Sequence, residues 1–333
     1  MKVVKSAATI LVLFAFLSSG PAPAAKKKEP PPPEKISGNI IISGAFALYP
    51  MVVKWKDEFE KIHPDVVIDV SAGGAGKGMA DVLSNMVDIG MVSRDIHPEE
   101  ITKGAWFVAV AKDAVVVIVN DKNPALKDIM TLGLRKEGLV DAWVTGKAKT
   151  WGDILDKTQP YPLNVYTRSD ACGAGEVWAK FLGKNQEDLR GDAVYGDPGI
   201  SQAVKLDGWG IGYNNINFAY DAKTRKPVPG IAVAPIDLDG NGKIDPDENF
   251  YGTLDSLDKA IAEGRYPSPP ARELYFVTNG KPQKKQVVEF LKWVLTDGQK
   301  LVPEAGYIPL SAAKLQEQID KLPQPAAQQP KKK

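Results

Sequence analysis

The chain has 333 residues, a length that favours two domains over a single core. Hydrophobic residues make up 44% and charged residues 25%, which excludes a disordered composition. The 42 basic and 41 acidic residues leave a formal net charge of +1, whereas nucleic-acid binders usually carry a clear basic excess. A single cysteine excludes an intramolecular disulfide.

Residues 1–24 have the pattern of a secretory signal peptide. Lys2 and Lys5 precede an apolar run from Ala7 to Leu17, and a small-residue site, Ala22-Pro23-Ala24, follows. The run is shorter than the ~20 apolar residues that a membrane span needs. The sequence therefore predicts secretion across the inner membrane into the periplasm.

The remaining chain divides into a linker, an ordered region and a tail. Residues 25–36 are rich in lysine and proline and predict an extended linker, and residues 323–333 predict a disordered tail. Between them, apolar strands alternate with amphipathic helices, which indicates α/β architecture with mainly parallel sheets. The predicted strands are 40–42, 66–70, 107–119, 164–167 and 274–277, and the predicted helices are 51–62, 79–86, 173–182 and 284–295.

Four glycine-bearing turns stand out, at 43–50, 71–78, 88–95 and 167–176, and the first two and the fourth lie at the ends of predicted strands. Ligands of open α/β sheets bind beyond the carboxyl ends of the strands, where such turns lead into helices. Glycine allows close approach, and the first N–H groups of a helix, with its dipole, attract anions. A single such turn would only indicate a tight connection, but four of them favour a shared anion cleft.

Two arginines in these turns could grip an oxyanion bidentately. Either could instead form a structural ion pair, Arg168 with Asp170 or Arg94 with Asp95. An acid among Asp88, Asp95 and Asp170 could select protonated phosphate over sulfate. The predicted anion-binding residues are Ala45, Phe46, Ala47, Gly74, Ala75, Gly76, Ser93, Arg94, Arg168, Asp170, Cys172, Gly173 and Ala174.

Over residues 37–312 the chain resembles the substrate-binding proteins of phosphate ABC transporters, members of the type II periplasmic binding proteins. The resemblance is carried by the four turns in their order and by segments further along the chain, Gly210-Ile211-Gly212-Tyr213, Trp293, Gly298-Gln299 and Gly306-Tyr307-Ile308-Pro309-Leu310. It implies a two-lobed fold in which each lobe is a mainly parallel sheet flanked by helices.

The resemblance also implies two crossover strands that form the hinge, near Val108–Val116 and Leu274–Val277. The lobe boundaries follow from them. Lobe 1 is expected at 37–112 and 275–322, and lobe 2 at 113–274.

The family lines its cleft with serine and threonine hydroxyls, and this chain lacks most of them. The matching positions are Ala45, Phe46, Ala75, Cys172 and Ala174. Either backbone N–H groups and arginine bind phosphate here, or the ligand is another oxyanion such as sulfate, molybdate or tungstate.

Residues 237–248 fit the twelve-residue EF-hand calcium loop, with Gly242 at the sharp turn. Pro235 argues against a full incoming helix, so a lone structural site is expected. The predicted calcium ligands are Asp237, Asp239, Asn241, Lys243 through its backbone oxygen, Asp245 and Glu248.

The sequence as a whole predicts a monomeric binding module, not an enzyme, that takes phosphate or a related oxyanion to the permease subunits of an ABC transporter. A calcium-dependent extracytoplasmic hydrolase is an alternative, although the only histidines, His63 and His97, form no visible metal cluster. An adhesion or scaffold protein is a further alternative. Cys172 lies at a predicted helix N-terminus near Arg168, which should lower its pKa, yet no histidine is placed to pair with it.

Overall fold

A computed structural model of the chain describes residues 35–323. The predicted signal peptide, residues 25–34 of the predicted linker and residues 324–333 of the predicted tail lie outside this range. No helix between residues 35 and 323 is long and apolar enough to cross a membrane.

Eleven strands and twelve α-helices form within the described range. The strands are β1 Gly38–Gly44, β2 Val66–Ala72, β3 Ile89–Val92, β4 Ala105–Asn120, β5 Leu134–Arg135, β6 Asn164–Arg168, β7 Asp192–Val194, β8 Gly210–Asn215, β9 Ile231–Ala234, β10 Ile236–Asp237 and β11 Ala271–Asn279. The helices are α1 Tyr49–Ile62, α2 Ala75–Leu83, α3 Pro98–Thr102, α4 Leu126–Leu132, α5 Lys136–Val140, α6 Trp151–Leu155, α7 Gly173–Phe181, α8 Gly196–Leu206, α9 Ile216–Ala219, α10 Leu254–Ala262, α11 Lys285–Leu295 and α12 Ala312–Lys321. Every predicted strand and helix is present, but the helix predicted at 79–86 begins at Ala75 and ends at Leu83.

A nine-stranded mixed sheet runs through the molecule in the order β2-β1-β3-β11-β4-β8-β6-β7, with β9 also paired to β4. Its two flanks are parallel, because β1 pairs parallel with β2 and β3, and β6 pairs parallel with β7 and β8. The long strands β4 and β11 join these flanks through antiparallel pairing. The predicted crossover strands lie within β4 and β11.

Buried side chains form two hydrophobic clusters. In β4 the residues up to Ala111 belong to the first cluster and those from Ala114 belong to the second. In β11 the division falls between Ala271 and Leu274. Both crossover strands therefore pass from one core to the other, near the predicted lobe boundaries, which stay a prediction.

Candidate functional site

The first three of the predicted turns are joined to one another by backbone hydrogen bonds. Ala45 N–H, in the turn after β1, donates over 2.9 Å to the carbonyl of Met91, which lies in β3 within the predicted third turn. Gly73 and Gly74 N–H donate to the Gly44 carbonyl over 2.9 and 3.1 Å, which links the turns after β1 and β2. The parallel pairing of β1 with both neighbours places all three turns at one edge of the sheet.

The fourth turn, after β6, contacts this group from the other core. Gly76 N–H donates to the Ala171 carbonyl over 3.2 Å. Gly173 packs so closely on Ser93 that a Cβ at residue 173 would lie 2.1 Å from the Ser93 carbonyl oxygen. All four turns thus meet, as predicted, and the region between them is called the cleft below.

Arg168 lies at the end of β6, and its guanidinium is buried against two carboxylates. Nε and Nη2 donate to the Asp170 carboxylate over 2.8 and 2.5 Å, and Nη1 donates to Asp197 Oδ2 over 2.7 Å. The Phe46 ring of the first turn lies 5.5 Å from the guanidinium carbon. The side chain is only 1% exposed, so these neighbours surround it almost completely.

Two N–H groups of the Arg168 guanidinium have no hydrogen-bond acceptor among the described residues. The guanidinium has five N–H groups, and three of them are taken by Asp170 and Asp197. Burial alone would lower the pKa of Arg168, but the charge of Asp197, with smaller effects of Cys172 and Asp170, raises it instead. The side chain is therefore permanently cationic, with two N–H groups left to donate.

Arg94 occupies a different environment. Its Nη1 and Nη2 donate to the Glu100 carboxylate over 2.9 and 2.6 Å, and Nη1 also donates to the Asp95 carbonyl. Nε lies 3.0 Å from Glu176 Oε2 on α7. The carboxylate partners are Glu100 and Glu176 rather than the predicted Asp95. These contacts engage most of its N–H groups, so Arg94 has fewer unpaired N–H groups than Arg168, although Arg94 lines the smaller of the two cavities described below.

Two nine-residue helices, α2 and α7, begin in the second and fourth turns, at Ala75 and Gly173. In each helix the N–H groups of the first turn have no acceptor within the helix. The positive end of the helix dipole lies at these groups. Cys172 is the residue before α7, and its Sγ accepts from Gly175 N–H over 3.2 Å. The two helix starts have backbone donors of the predicted kind, but Gly76 N–H and Gly175 N–H already donate to the Ala171 carbonyl and to Cys172 Sγ.

The prediction of a lowered thiol pKa at Cys172 is wrong. Burial raises its pKa to about 12, and the nearby charge of Arg168 only partly offsets this. The side chain is 5% exposed, so loss of hydration outweighs the helix start. A thiol in this state is a hydrogen-bond acceptor and a packing group, not a nucleophile.

The other predicted cleft residues line the turns with small or apolar groups. Ala45, Ala75 and Ala174 are almost fully buried, and the Ala47 carbonyl accepts from the Tyr307 hydroxyl over 2.7 Å. Ser93, 2% exposed, keeps the one hydroxyl among the predicted residues. The cleft thus offers backbone and guanidinium donors rather than a row of hydroxyls.

Of the three carboxylates considered for ligand selection, one lies beside Arg168. Asp88 accepts from Ile41 N–H and pairs with Lys284, and Asp95 pairs with Lys180 over 2.6 Å. Asp170 holds Arg168 and lies 2.8 Å from the point where a Gly74 Cβ would stand. Of the three carboxylates, Asp170 is the one that contacts Arg168 and packs against the second turn.

Two cavities, of about 560 and 440 Å³, lie beside the cleft, and the Asp95–Lys180 ion pair lines both. The larger is bounded by the crossover strands through Lys112, Arg272 and Tyr275. The smaller is bounded by the second and fourth turns. Their linings include residues of the second, third and fourth turns, but neither lining includes Arg168 or a residue of the first turn.

The predicted calcium loop brings three carboxylates together. Ligand atoms of Asp237, Asp239 and Glu248 all lie within 4.8 Å of one another. Asp237 and Glu248 are 3% and 6% exposed, and backbone N–H groups orient both, from Gly240 and Gly242 and from residues 238 and 239. Carboxylate oxygens at this density fit a hard divalent cation.

The other predicted ligands of the loop are linked to this cluster. Asn241 Nδ2 donates to both Asp239 and Asp245, and the Lys243 ammonium pairs with Asp245 over 2.6 Å. The strand β10 ends at Asp237, so no helix enters the loop, as Pro235 suggested. The arrangement is a single loop attached to β10, whose partner is β5.

The chain belongs to the PBP superfamily, because the model of the PBP superfamily domain matches residues 29–298. Relatives include the phosphate-binding protein PstS of Staphylococcus saprophyticus, 27% identical over 296 residues that cover 86% of this chain and 85% of that protein. PstS of Staphylococcus aureus (strain USA300) is 26% identical over 287 residues, covering 84% of this chain and 80% of that protein.

Solved structures agree on the fold. A structure with bound phosphate from Clostridium perfringens, described as a phosphate ABC transporter substrate-binding protein, has a TM-score of 0.67 at 21% identity and covers 82% of this chain and 100% of its own. An ABC-type phosphate transport receptor from Vibrio cholerae has a TM-score of 0.59 at 19% identity, covering 81% of this chain and 100% of its own. The predicted two-lobed periplasmic-binding-protein fold is confirmed.

Two features of the site were not predicted from the sequence. One is Asp197, the second carboxylate that pairs with Arg168, and the other is the set of side chains that continues from Asp197, namely Asn215, Arg272 and Asp113. Signals for two of them were present. Asp113 interrupts the long apolar run of β4, and Asn215 ends the buried strand β8. Their connection could not be predicted, because the four residues come from distant parts of the chain.

Proposed function

We propose that this protein is an extracytoplasmic solute-binding protein that captures phosphate in the cleft and delivers it to an ABC transporter, without catalysing a reaction. The observation that carries the proposal is the buried Arg168, which keeps two N–H donors at the meeting point of four turns. The names of the Staphylococcus relatives agree with this ligand.

The role of each group follows from its chemistry. The two N–H groups of Arg168 would donate to phosphate oxygens, and the helix starts at Ala75 and Gly173 would add backbone N–H donors. Asp170 would accept from a protonated phosphate oxygen, which a fully ionised sulfate lacks. These contacts favour binding without bond cleavage, since the cleft holds no activated nucleophile.

The test is calorimetric titration of the protein lacking residues 1–24 with phosphate. Because two charge-assisted hydrogen bonds are lost, Arg168→Ala should weaken binding at least about 100-fold. Arg168→Lys, which keeps the buried positive charge, separates loss of ligand donors from misfolding. Arg190→Ala, at an exposed arginine, is the control and should bind like the parent.

Parallel titrations with sulfate, molybdate and tungstate decide among oxyanions, because most family hydroxyls are absent. Tighter binding of one of these anions than of phosphate would replace the proposed ligand. Absence of heat with all four anions would overturn the proposal, and turnover of a phosphate ester would favour the hydrolase.

Other parts of the proposal need separate measurements. Cell fractionation with and without residues 1–24 tests export to the periplasm. Co-purification with permease subunits tests the partner, and light scattering tests the monomeric state.

We also propose that residues 237–248 bind one structural calcium ion. Asp237, Asp239, Asp245 and Glu248 would supply carboxylate oxygens, with Asn241 and the Lys243 carbonyl. Calcium should raise the unfolding temperature of the protein, while magnesium at the same concentration should have less effect. Glu248→Gln should abolish the calcium effect, and Asp247→Asn, at an exposed neighbour, should retain it. An unchanged calcium response in Glu248→Gln would contradict the site.

A further inference from the structure

A chain of buried polar side chains leads from Arg168 to the crossover strands. Asp197, in the first turn of α8, accepts from Arg168 Nη1 through Oδ2 and from Asn215 Nδ2 through Oδ1, over 2.7 and 2.5 Å. Asn215 Oδ1 in turn accepts from Arg272 Nη2. Arg272 Nε donates to Asp113 Oδ1 over 2.7 Å. Asp197, Asn215, Arg272 and Asp113 are called the relay.

The amide of Asn215, in the middle of the relay, has one orientation that satisfies both neighbours. The Asn215 amide must direct its N–H group at the Asp197 carboxylate and its oxygen at the Arg272 guanidinium. In the reverse orientation the amide N–H groups would face the Arg272 N–H groups, and the amide oxygen would face the Asp197 carboxylate. A shift of one member therefore has to be followed by the next.

The far end of the relay lies on the crossover strands. Asp113 of β4 and Arg272 of β11 are directly paired in the antiparallel register. They stand between the last residues of one hydrophobic cluster and the first residues of the other. A change in the angle between the two cores would act on this pair.

Stability alone does not account for the relay. The side chains of Asp113, Asp197 and Arg272 are 0%, 1% and 5% exposed, and Arg272 Nη1 has no hydrogen-bond partner among the described residues. Buried ion pairs cost several kcal/mol of desolvation per ion and are often replaceable by apolar groups without loss. Charges placed in a row between a ligand-binding arginine and a hinge indicate a positioning role instead.

We propose that the relay couples the orientation of Arg168 to the crossover strands, so that anion capture and the angle between the two cores influence each other. Asp197 and Asn215 are positioning residues for Arg168, and the Asp113–Arg272 pair transmits the state of the hinge. The coupling to phosphate rests on the proposed function of the cleft, whereas the mechanical link between Arg168 and the hinge does not.

The test is Arg272→Lys, because the hydrogen bonds of Arg272 go to Asp113 and Asn215 and not to Arg168 or to the four turns. It keeps the buried charge but loses the planar fork, so phosphate affinity should fall about tenfold. The double variant Arg272→Lys with Asn215→Ala should bind phosphate no more weakly than whichever single variant binds it more weakly, because both substitutions interrupt the same relay. Arg225→Lys is the control, because Arg225 pairs with two carboxylates, Asp255 and Asp258, that lie outside the relay. It should bind like the parent.

Hydrogen exchange of the anion-free protein tests the link without a ligand. Arg272→Lys should speed exchange in residues 167–174 and Arg225→Lys should not. If the parent binds no phosphate but this exchange effect appears, the proposed function fails and the relay stands. Parent-like affinity and parent-like exchange in Arg272→Lys would overturn the relay. Should that variant not fold, Asn215→Asp, which sets two carboxylates against each other, carries the same comparison.

Discussion

Cys172 shows at the residue scale how burial overrides a helix start. Its Sγ accepts from Gly175 N–H, and burial raises its pKa to about 12. We therefore expect iodoacetamide to alkylate the native protein at pH 8 about 1000-fold more slowly than the same chain in guanidinium, because the thiolate fraction falls by that factor. Equal rates in both states would show an accessible, ionised thiol and would contradict this assignment.

Gly173 is the residue through which the start of α7 packs against the third turn. A Cβ at this residue would lie 2.1 Å from the Ser93 carbonyl oxygen, closer than any real contact, so Gly173→Ala must displace α7 from the third turn. We expect phosphate affinity to fall at least about tenfold, because the donors of α7 move away from Arg168. Calorimetry measures the loss, and circular dichroism checks the fold.

The matched control for this variant is Gly208→Ala. A Cβ at Gly208 meets no atom within 4 Å, and the substitution should leave phosphate affinity unchanged. Parent-like affinity of Gly173→Ala would mean that the contact between α7 and the third turn is not needed for binding.

At the element scale, α10 is held by a buried acid. Asp258 accepts from Arg225 Nη2 over 2.8 Å, while its Oδ1 has no partner among residues 35–323. Burial raises the pKa of Asp258 to about 6, and Arg225 offsets only part of that effect. The folded state therefore favours the protonated acid. This contribution to stability is complete below about pH 4 and is lost as the pH rises through 6.

Asp258→Asn removes this titration, because the amide stays neutral. From pH 4.5 to pH 7.5 the free energy of unfolding of the variant should rise relative to the parent by about 2 kcal/mol. Urea unfolding at both pH values measures the difference. Asp255→Asn, at the exposed partner of Arg225, is the comparison variant, because it keeps Asp258 and alters only the neighbouring ion pair. A constant difference between the Asp258→Asn variant and the parent at both pH values would show that Asp258 titrates normally.

Elements with strong apolar patterns were predictable from the sequence. Apolar runs predict the strands β1, β4 and β11, and apolar faces predict the helices α1 and α11. The helices between residues 126 and 155 are short and include a π-helical turn, so tertiary packing rather than periodicity decides them. In the cleft, Arg168 and Asp170 share one turn and were found together. Asp197 became a partner only when α8 folded against β6, which no local pattern encodes.

At the scale of the whole molecule, α7 connects the two cores through two charged residues one turn apart. Glu176 lies 3.0 Å from both Arg94 Nε and His97 Nε2, and Lys180 lies 2.6 Å from Asp95. All three partners lie between β3 and α3, on the side of the first core. These ion pairs favour the arrangement in which the fourth turn meets the other three.

Removing both links with Glu176→Gln and Lys180→Ala should shift the protein toward a more open arrangement. Partly exposed ion pairs contribute up to about 1 kcal/mol each, so phosphate affinity should fall about fivefold at low salt. The radius of gyration from small-angle X-ray scattering of the anion-free double variant should exceed that of the parent. In 1 M salt the affinity difference should shrink, because screening already weakens the pairs in the parent. Lys157→Ala removes an ion pair with Asp128, away from the cleft, and should change neither quantity. A double variant with parent-like affinity and dimensions at low salt would show that apolar packing alone holds the two cores together.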